Sequence, residues 1–385
     1  MKRTFSLRSN SSAPLIAAGT GLVAATYGLI RLAYGLLLPE VQDDLDLSVA
    51  AAGMISSGAS VVYCIGALLG FLVAARHPRA LVVASTLSAG IGAAGMAAAL
   101  SAGTFAVAAI ASSAGAGLAS PALVAVLQRN RSTAGSSRAQ SIVNAGTGPG
   151  LVAAGLLALV LLPEWRLTWL VAAVFTATVG CLVIVLDRRD AGAAPPRQSL
   201  PPVSWFTAHQ RLLAAALLMG CGSAAVWNYG RTLLVESGAD EFVSVSAWIA
   251  LGAGGTAVIA TARWLEERGP RTAWILTVGA LAVATAVLAA VPRSAPLAWA
   301  ACAAFGWGYT AATGALIGWT AQLGPVRAPA GTAMLFITLI LGQALGAAAI
   351  GMLIPRAGYP LAFFGAALAA TAAAAVARTS RRRGA

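Results

Sequence analysis

The sequence predicts an all-α membrane protein whose twelve transmembrane helices form two pseudo-symmetric six-helix bundles. Three observations carry this expectation. Of the 385 residues, 59% are hydrophobic and only 10% charged, against about 25% charged in a soluble domain. Apolar runs recur along the whole chain at lengths near the ~20 residues that cross ~30 Å of hydrocarbon. Basic residues gather in alternate loops, as they do on the cytoplasmic side of membrane proteins. A nuclear or cytosolic enzyme is excluded by this composition. The net charge of +13 does not point to nucleic acid either, since no soluble basic segment is long enough to fold and carry it.

The runs lie at about 14–39, 49–75, 80–101, 104–128, 140–163, 168–186, 212–235, 243–262, 273–292, 295–323, 329–354 and 359–377. The opening MKRTFSLRSNSSAP is basic like a signal peptide. The apolar run behind it is too long for a cleaved segment, so it is expected to remain as the first helix. With the N-terminus placed in the cytoplasm, twenty of the 25 basic residues fall on the cytoplasmic side. Only Arg166, Arg293 and Arg356 fall outside, while Arg31 and Arg231 sit within spans. One miscounted helix would invert every later loop and destroy this bias, so both termini are expected in the cytoplasm. After six spans comes a stretch with four prolines and four arginines. The expected organisation is therefore a first half at 1–187, a cytoplasmic linker at 188–211, and a second half at 212–385 ending in a basic tail. Weak internal symmetry agrees: residues 150–170 resemble 342–364, with Leu161-Leu162-Pro163 matching Leu353-Ile354-Pro355, as parallel repeats require. Cys64, Cys181, Cys221 and Cys302 all lie in apolar stretches without a CxxC pair, and read as small membrane residues rather than redox or metal ligands.

Twelve spans, the 6+6 division and the first helix, YGLIRLAYGLLLPEVQDDLDLS (27–48), followed by a Gly-rich second helix ending IGALLGFLVAARHPR, resemble the major facilitator superfamily. Within it, the first two helices are similar to the prokaryotic YbfB/YjiJ-like branch. The resemblance implies a secondary transporter in a prokaryotic cytoplasmic membrane, working by alternating access, as a monomer, without cofactor or metal, and not an enzyme. The superfamily's G-x-L-x-D-[RK]-x-G-[RK]-[RK] loop is degraded here: from Gly70, Ala74 takes the acidic place and His77 the glycine, leaving Leu72 and Arg79. Its second copy is better kept, with Glu266, Gly269 and Arg271 in place. The resemblance implies that Arg76, Arg79, Glu266, Arg268, Gly269 and Arg271 act at a cytoplasmic gate; setting topology by charge explains the arginines equally well. The fifth helix keeps part of an antiporter signature as Asn144-Ala-Gly-Thr-Gly148-Pro149-Gly150. Gly148 and Pro149 there permit close packing and bending, whether or not they bear on the direction of transport.

Arg31 is the leading candidate for substrate contact. A mid-membrane arginine costs roughly 2.5–3.5 kcal/mol on insertion scales, and Arg31 lies nine residues before the acidic loop that opens at Glu40. Tyr27, Arg31 and Tyr34 follow i, i+4, i+7 spacing and are expected on one helical face. A guanidinium fork beside two phenols suits carboxylates and other oxyanions. The competing reading is an arginine bonded to carbonyls or to a neighbouring helix. Arg231 with Trp227 and Asn228 offers a similar stripe on the seventh helix, the counterpart of the first, although Arg231 is close enough to Glu236 to snorkel outward or ion-pair. Ser56, Ser60 and Tyr63 on the second helix, Phe305 and Tyr309 on the tenth, Asn144 on the fifth and Gln343 on the eleventh complete the candidates. Helix packing is the default for each taken singly, and Trp307 faces another side of the tenth helix.

None of the twelve acids and neither histidine, His77 or His209, falls mid-membrane, where proton-coupled carriers usually place a titrating side chain. Three couplings remain: a substrate that carries its own proton, anion exchange, or titration of Glu40 or Glu236 at the cavity mouth. The sequence thus predicts a carrier of a small organic anion or amphipathic metabolite. The alternative is an efflux pump for neutral or acidic compounds. No nucleophile elbow or phosphate loop supports an enzyme; GAGG at 252–255 lies in a membrane helix without a following Lys. The expected partners are a small anionic substrate and the lipid bilayer.

Overall fold

The computed structural model describes residues 12–130, 133, 136–188, 200–324 and 328–378, and these are helical with no strand among them. Helix α1 (13–45) is composite: Ala13–Val23, then a π-helical stretch Ala24–Leu32, then Tyr34–Leu45. It is followed by α2 Val49–Val73, α3 Pro78–Ala97 and α4 Ala102–Arg129. Ser48 caps α2 by accepting from Ala51 N, and a Ser101/Thr104 capping box starts α4. Helix α5 (137–161) is interrupted between Asn144 and Thr147, within the Gly-rich motif. Then come α6 Trp165–Leu186, α7 Val203–Glu236, α8 Glu241–Glu266, α9 Pro270–Ala290 and α10 Ala295–Leu323. The stretch Ala328–Arg378 breaks at Gly358, whose φ of 78° only glycine adopts cheaply, giving α11 (328–357) and α12 (359–378).

Among the described residues, ten stretches are long and apolar enough to cross a membrane. The last of them, Ala330–Ala377, contains both α11 and α12. Helix α10 is absent from that set because Trp299, Trp307, Tyr309, Thr310 and Gln322 dilute its apolar character, yet it packs between α8 and α9 like a spanning helix. Exposed Leu, Ile, Val and Phe side chains such as Ile91, Val107, Val185 and Leu368 cover the outside, the inverse of a soluble protein and the surface a bilayer requires.

Helices α1–α6 pack mainly on one another, as do α7–α12, and the two groups meet through α1 with α7, α2 with α11, and α5 with α8. The expected linker is shortened from its far end: α7 begins at Val203, and Trp205 and His209 are buried within it. Their rings stack at 3.9 Å, so 203–211 belongs to the second bundle rather than to a linker. Residues 189–199, the first eleven residues and the tail from 379 lie outside the described residues.

Small side chains set the close approaches, as expected where lipid supplies no hydrophobic drive between helices. Gly28 of α1 sits on the Gly150 backbone of α5. Between the bundles, Gly35 faces the Trp227 carbonyl, and Gly53 of α2 lies against Gly351 and the Ala347 carbonyl of α11. A side chain at 53 would meet backbone, which cannot rotate away. Gly53→Leu is therefore expected to destabilise the protein by ~1–3 kcal/mol, seen as a lower melting temperature of the purified protein; an unchanged melting temperature would contradict this packing.

Candidate binding cavity

The π-helical stretch of α1 carries Arg31 midway along the helix. Such stretches are rare and concentrate at functional sites. Arg31 lines a small cavity of about 40 Å³, open in part to the exterior and lined from both bundles. From the first bundle come Ile30, Arg31, Leu32 and Tyr34 of α1, Ile55, Ser56, Ala59 and Ser60 of α2, Met96 of α3, and Ala109, Ser112 and Ser113 of α4. The second contributes Trp227 and Asn228 of α7 and Gln343 of α11.

The guanidinium is held loosely. One Arg31 terminal nitrogen donates to Ser60 Oγ and to Gln343 Oε1, both at 3.3 Å, long for charge-assisted bonds. The group lies 4.7 Å from the Tyr63 ring centroid, within cation–π range. Arg31 Nε is buried without an acceptor, and among the described residues no carboxylate lies within ion-pair distance of Arg31. Gln343 extends the link across the second bundle, its Nε2 donating to Tyr309 Oη at 3.0 Å and to Ser223 Oγ at 3.4 Å. Ser56 donates to Asn228 Oδ1 between α2 and α7. Trp227 makes edge contacts with Trp248, Phe305 and Tyr309, an aromatic wall behind its own ring.

The two phenols beside Arg31 are spent on packing. Tyr27 Oη bonds Tyr63 Oη at 2.9 Å, and Tyr34 Oη donates to the Ala52 carbonyl at 2.9 Å. Tyr34 lines the cavity and Tyr27 does not, so the expected single stripe is split.

Arg231 departs furthest from its expected place. Its side chain is 2% exposed, and its fork grips both oxygens of Glu40 at 2.5 and 2.6 Å. It also donates to the Leu36 carbonyl at 2.6 Å and to Ser244 Oγ at 3.3 Å. Two facing free arginines in one cavity are therefore not present: Arg231 is neutralised and joins α7 to α1 beyond the cavity. Tyr229 Oη, donating to the Val49 carbonyl at 3.0 Å, adds a second clasp. Together with the Gly35 and Gly53 contacts, these close the end that carries the α1–α2 loop.

Asn144 is exposed at the break in α5 and accepts from Ser120 at 3.4 Å, away from the cavity lining. Gly148 faces the Thr256 hydroxyl of α8, on the seam between bundles. At the opposite end from the α1–α2 loop, Arg79 donates to the Ile184 carbonyl at 3.1 Å, and Arg76 and Glu266 are exposed. Arg268 lies over the Trp264 ring at 3.7 Å, and Arg271 over Trp319 at 5.4 Å. Among the described residues no ion pair joins the bundles there, and Glu267 rather than Glu266 pairs with a base, Arg263, at 3.2 Å. Sequence reasoning missed Ser112, Ser113 and Met96; the adjacent serines in an otherwise uncharged span were the available signal.

Residues 20–330 match the family model described as Major Facilitator Superfamily. The fold is similar to that of the nucleoside transporter NupG, at 14% identity and a TM-score of 0.80, covering 97% of this chain and 100% of that one. A bacterial homologue of the human lysosomal transporter Spinster, in an inward-facing and unoccupied conformation, aligns at 14% identity and a TM-score of 0.66 over 96% and 95% of the two chains. A transporter of the POT family, solved with a thioalcohol-conjugated peptide, aligns at 11% identity and 0.76 over 94% of each. No curated protein matches the sequence.

Removing one member of a buried ion pair strands the other and costs about 3–5 kcal/mol. Glu40→Gln should therefore loosen the closed end. In a background with the four native cysteines replaced by alanine, maleimide labelling of Leu36→Cys, fully buried in the wild type, is expected to rise at least tenfold on adding Glu40→Gln. Unchanged protection would show that the Arg231–Glu40 pair does not hold this end shut.

Proposed function

Since the chain belongs to the major facilitator superfamily and is a secondary transporter, we propose that it carries a small organic anion across a prokaryotic cytoplasmic membrane by alternating access. One observation carries the choice of an anion. Arg31 sits in the cavity between the bundles with a buried, unpartnered Nε and no neutralising carboxylate among the described residues. Keeping that charge in an apolar setting is costly, and an anion binding beside it offsets the cost. Ser60 and Gln343, one from each bundle, already hold the guanidinium, so a ligand there touches the joint about which the bundles rock. The basic residues of 76–79, 129–138, 263–271 and 378–383 support placing the α1–α2 loop outside and the opposite end in the cytoplasm. On that assignment the Arg231–Glu40 pair is an outer gate, and the present state is closed to the outside. The half boundaries near residues 187 and 203 are those about which the bundles are read to move, and the α1 motif supports the YbfB/YjiJ-like branch. Gly148 and Pro149 at the α5 break, and Arg76, Arg79, Arg268 and Arg271 at the cytoplasmic loops, are read as the parts that shift when the inner end closes.

The reading is tested by ligand-induced thermal shift on the purified protein across a panel of organic anions, comparing wild type with Arg31→Ala. Anions that stabilise only the wild type are expected; equal stabilisation of both would remove Arg31 from the binding role. Arg31→Lys keeps the charge but loses the planar fork, and is expected to weaken binding of those anions at least tenfold. Affinity unchanged by that substitution would contradict a directional contact.

A further inference from the structure

The polar groups lining the cavity are mostly satisfied within the protein. Ser112 donates to the Ala109 carbonyl at 2.8 Å, Ser56 to Asn228, and Asn228 Nδ2 to the Ala224 carbonyl at 2.8 Å. Two buried donors on lining residues are not: Arg31 Nε from the first bundle and Trp227 Nε1 from the second. Trp227 is only 6% exposed, so an N–H left without an acceptor there is unfavourable. Both donors belong to residues that line the cavity, one on each bundle, and neither has an acceptor among the described residues.

The charge count is equally specific. Arg31 brings one uncompensated positive charge to the cavity, while Arg231, one turn beyond Trp227 on α7, is neutralised by Glu40. A ligand that balances the site thus brings a single negative charge. A second one would be buried beside Ile30, Ile55, Met96 and Ala109 with no further cation among the described residues to meet it, and would carry its desolvation penalty uncompensated. The same lining offers an apolar surface for a hydrocarbon body to meet as the cavity opens.

We propose that the cargo is a monocarboxylate with an apolar body, whose two carboxylate oxygens are shared between Arg31 Nε and Trp227 Nε1. This rests on the anion reading above and sharpens it to one charge and two donors. Binding then spans both bundles: the charge is taken by α1 and the second oxygen by α7, so the filled site ties together the elements whose relative movement transports it. Trp227 is a specificity-determining residue on this account, and its indole N–H rather than its bulk is the feature that matters.

An isosteric series on the purified full chain tests this, with dissociation constants from thermal-shift titrations at pH 8. Butyrate is the monoanion, succinate adds a second carboxylate at the same chain length, and butyramide removes the charge. Butyrate is expected to bind at least tenfold more tightly than either. Trp227→Phe, which keeps an aromatic ring and removes the donor, is expected to weaken butyrate three- to tenfold. Trp248→Phe, which alters an indole in edge contact with Trp227 but outside the cavity, should change it less than twofold. Succinate binding as tightly as butyrate would overturn the single-charge count and leave the anion reading intact. Butyramide matching butyrate would overturn the anion reading itself, and this proposal with it. Equal weakening by both tryptophan variants, or none by Trp227→Phe, would overturn the shared-donor geometry. No binding of butyrate would overturn the proposal outright. The wild-type series decides the charge count even if a variant fails to fold.

Discussion

One guanidinium in a nearly chargeless membrane interior organises this molecule. Arg31 is half-buried and meets no carboxylate among the described residues, and its surroundings are arranged around that fact. The Tyr63 ring lies beneath it, and Ser60 and Gln343 take one of its nitrogens at 3.3 Å. Gln343 passes the link on to Tyr309 and Ser223. Through this chain a charge on α1 is felt by α7, α10 and α11, the helices of the other bundle. A rigid, fully paired arginine would act only as a strut. One with a free Nε is a strut that also leaves a donor without an acceptor.

The second arginine shows the contrast. Arg231 is buried, with 2% of its side chain exposed, but it is saturated by Glu40, the Leu36 carbonyl and Ser244. Its burial is tolerated because a carboxylate comes with it, and breaking such a pair is expensive for the partner left behind. The two arginines therefore divide the work by their partners rather than by residue type. The neutralised one joins α7 to α1, and the unneutralised one keeps a donor without an acceptor, on which the proposed anion site rests. Glu40 and Arg31 share a helix, so movement of α1 bears on the clasp and on the cavity at once.

Most of the fold was legible in the sequence, because a bilayer imposes length, hydropathy and charge asymmetry on each span with little room for exceptions. Arg31 was legible for the same reason: a charge where charge is costly stands out. The clasp was not. Nothing in sequence relates Glu40 to Arg231 across 191 positions, and the nearby Glu236 made an outward-facing arginine equally reasonable. The Tyr27–Arg31–Tyr34 stripe assumed 3.6 residues per turn, whereas the chain is π-helical from Ala24 to Leu32, so the phase drifts and Tyr27 turns to Tyr63. Asn144 seemed a mid-span polar group, but the break in α5 exposes it. Trp205 and His209 looked like linker because prolines precede them, yet stacking and burial carry α7 back to Val203.

The most direct measurement is the location of a heavy-atom-labelled anion in crystals of the full chain, using 3-iodopropionate and anomalous diffraction. The account predicts an iodine peak in the cavity between the bundles, with the carboxylate within hydrogen-bond distance of the Arg31 guanidinium. A ligand bound elsewhere, with Arg31 still contacted only by protein, would contradict it.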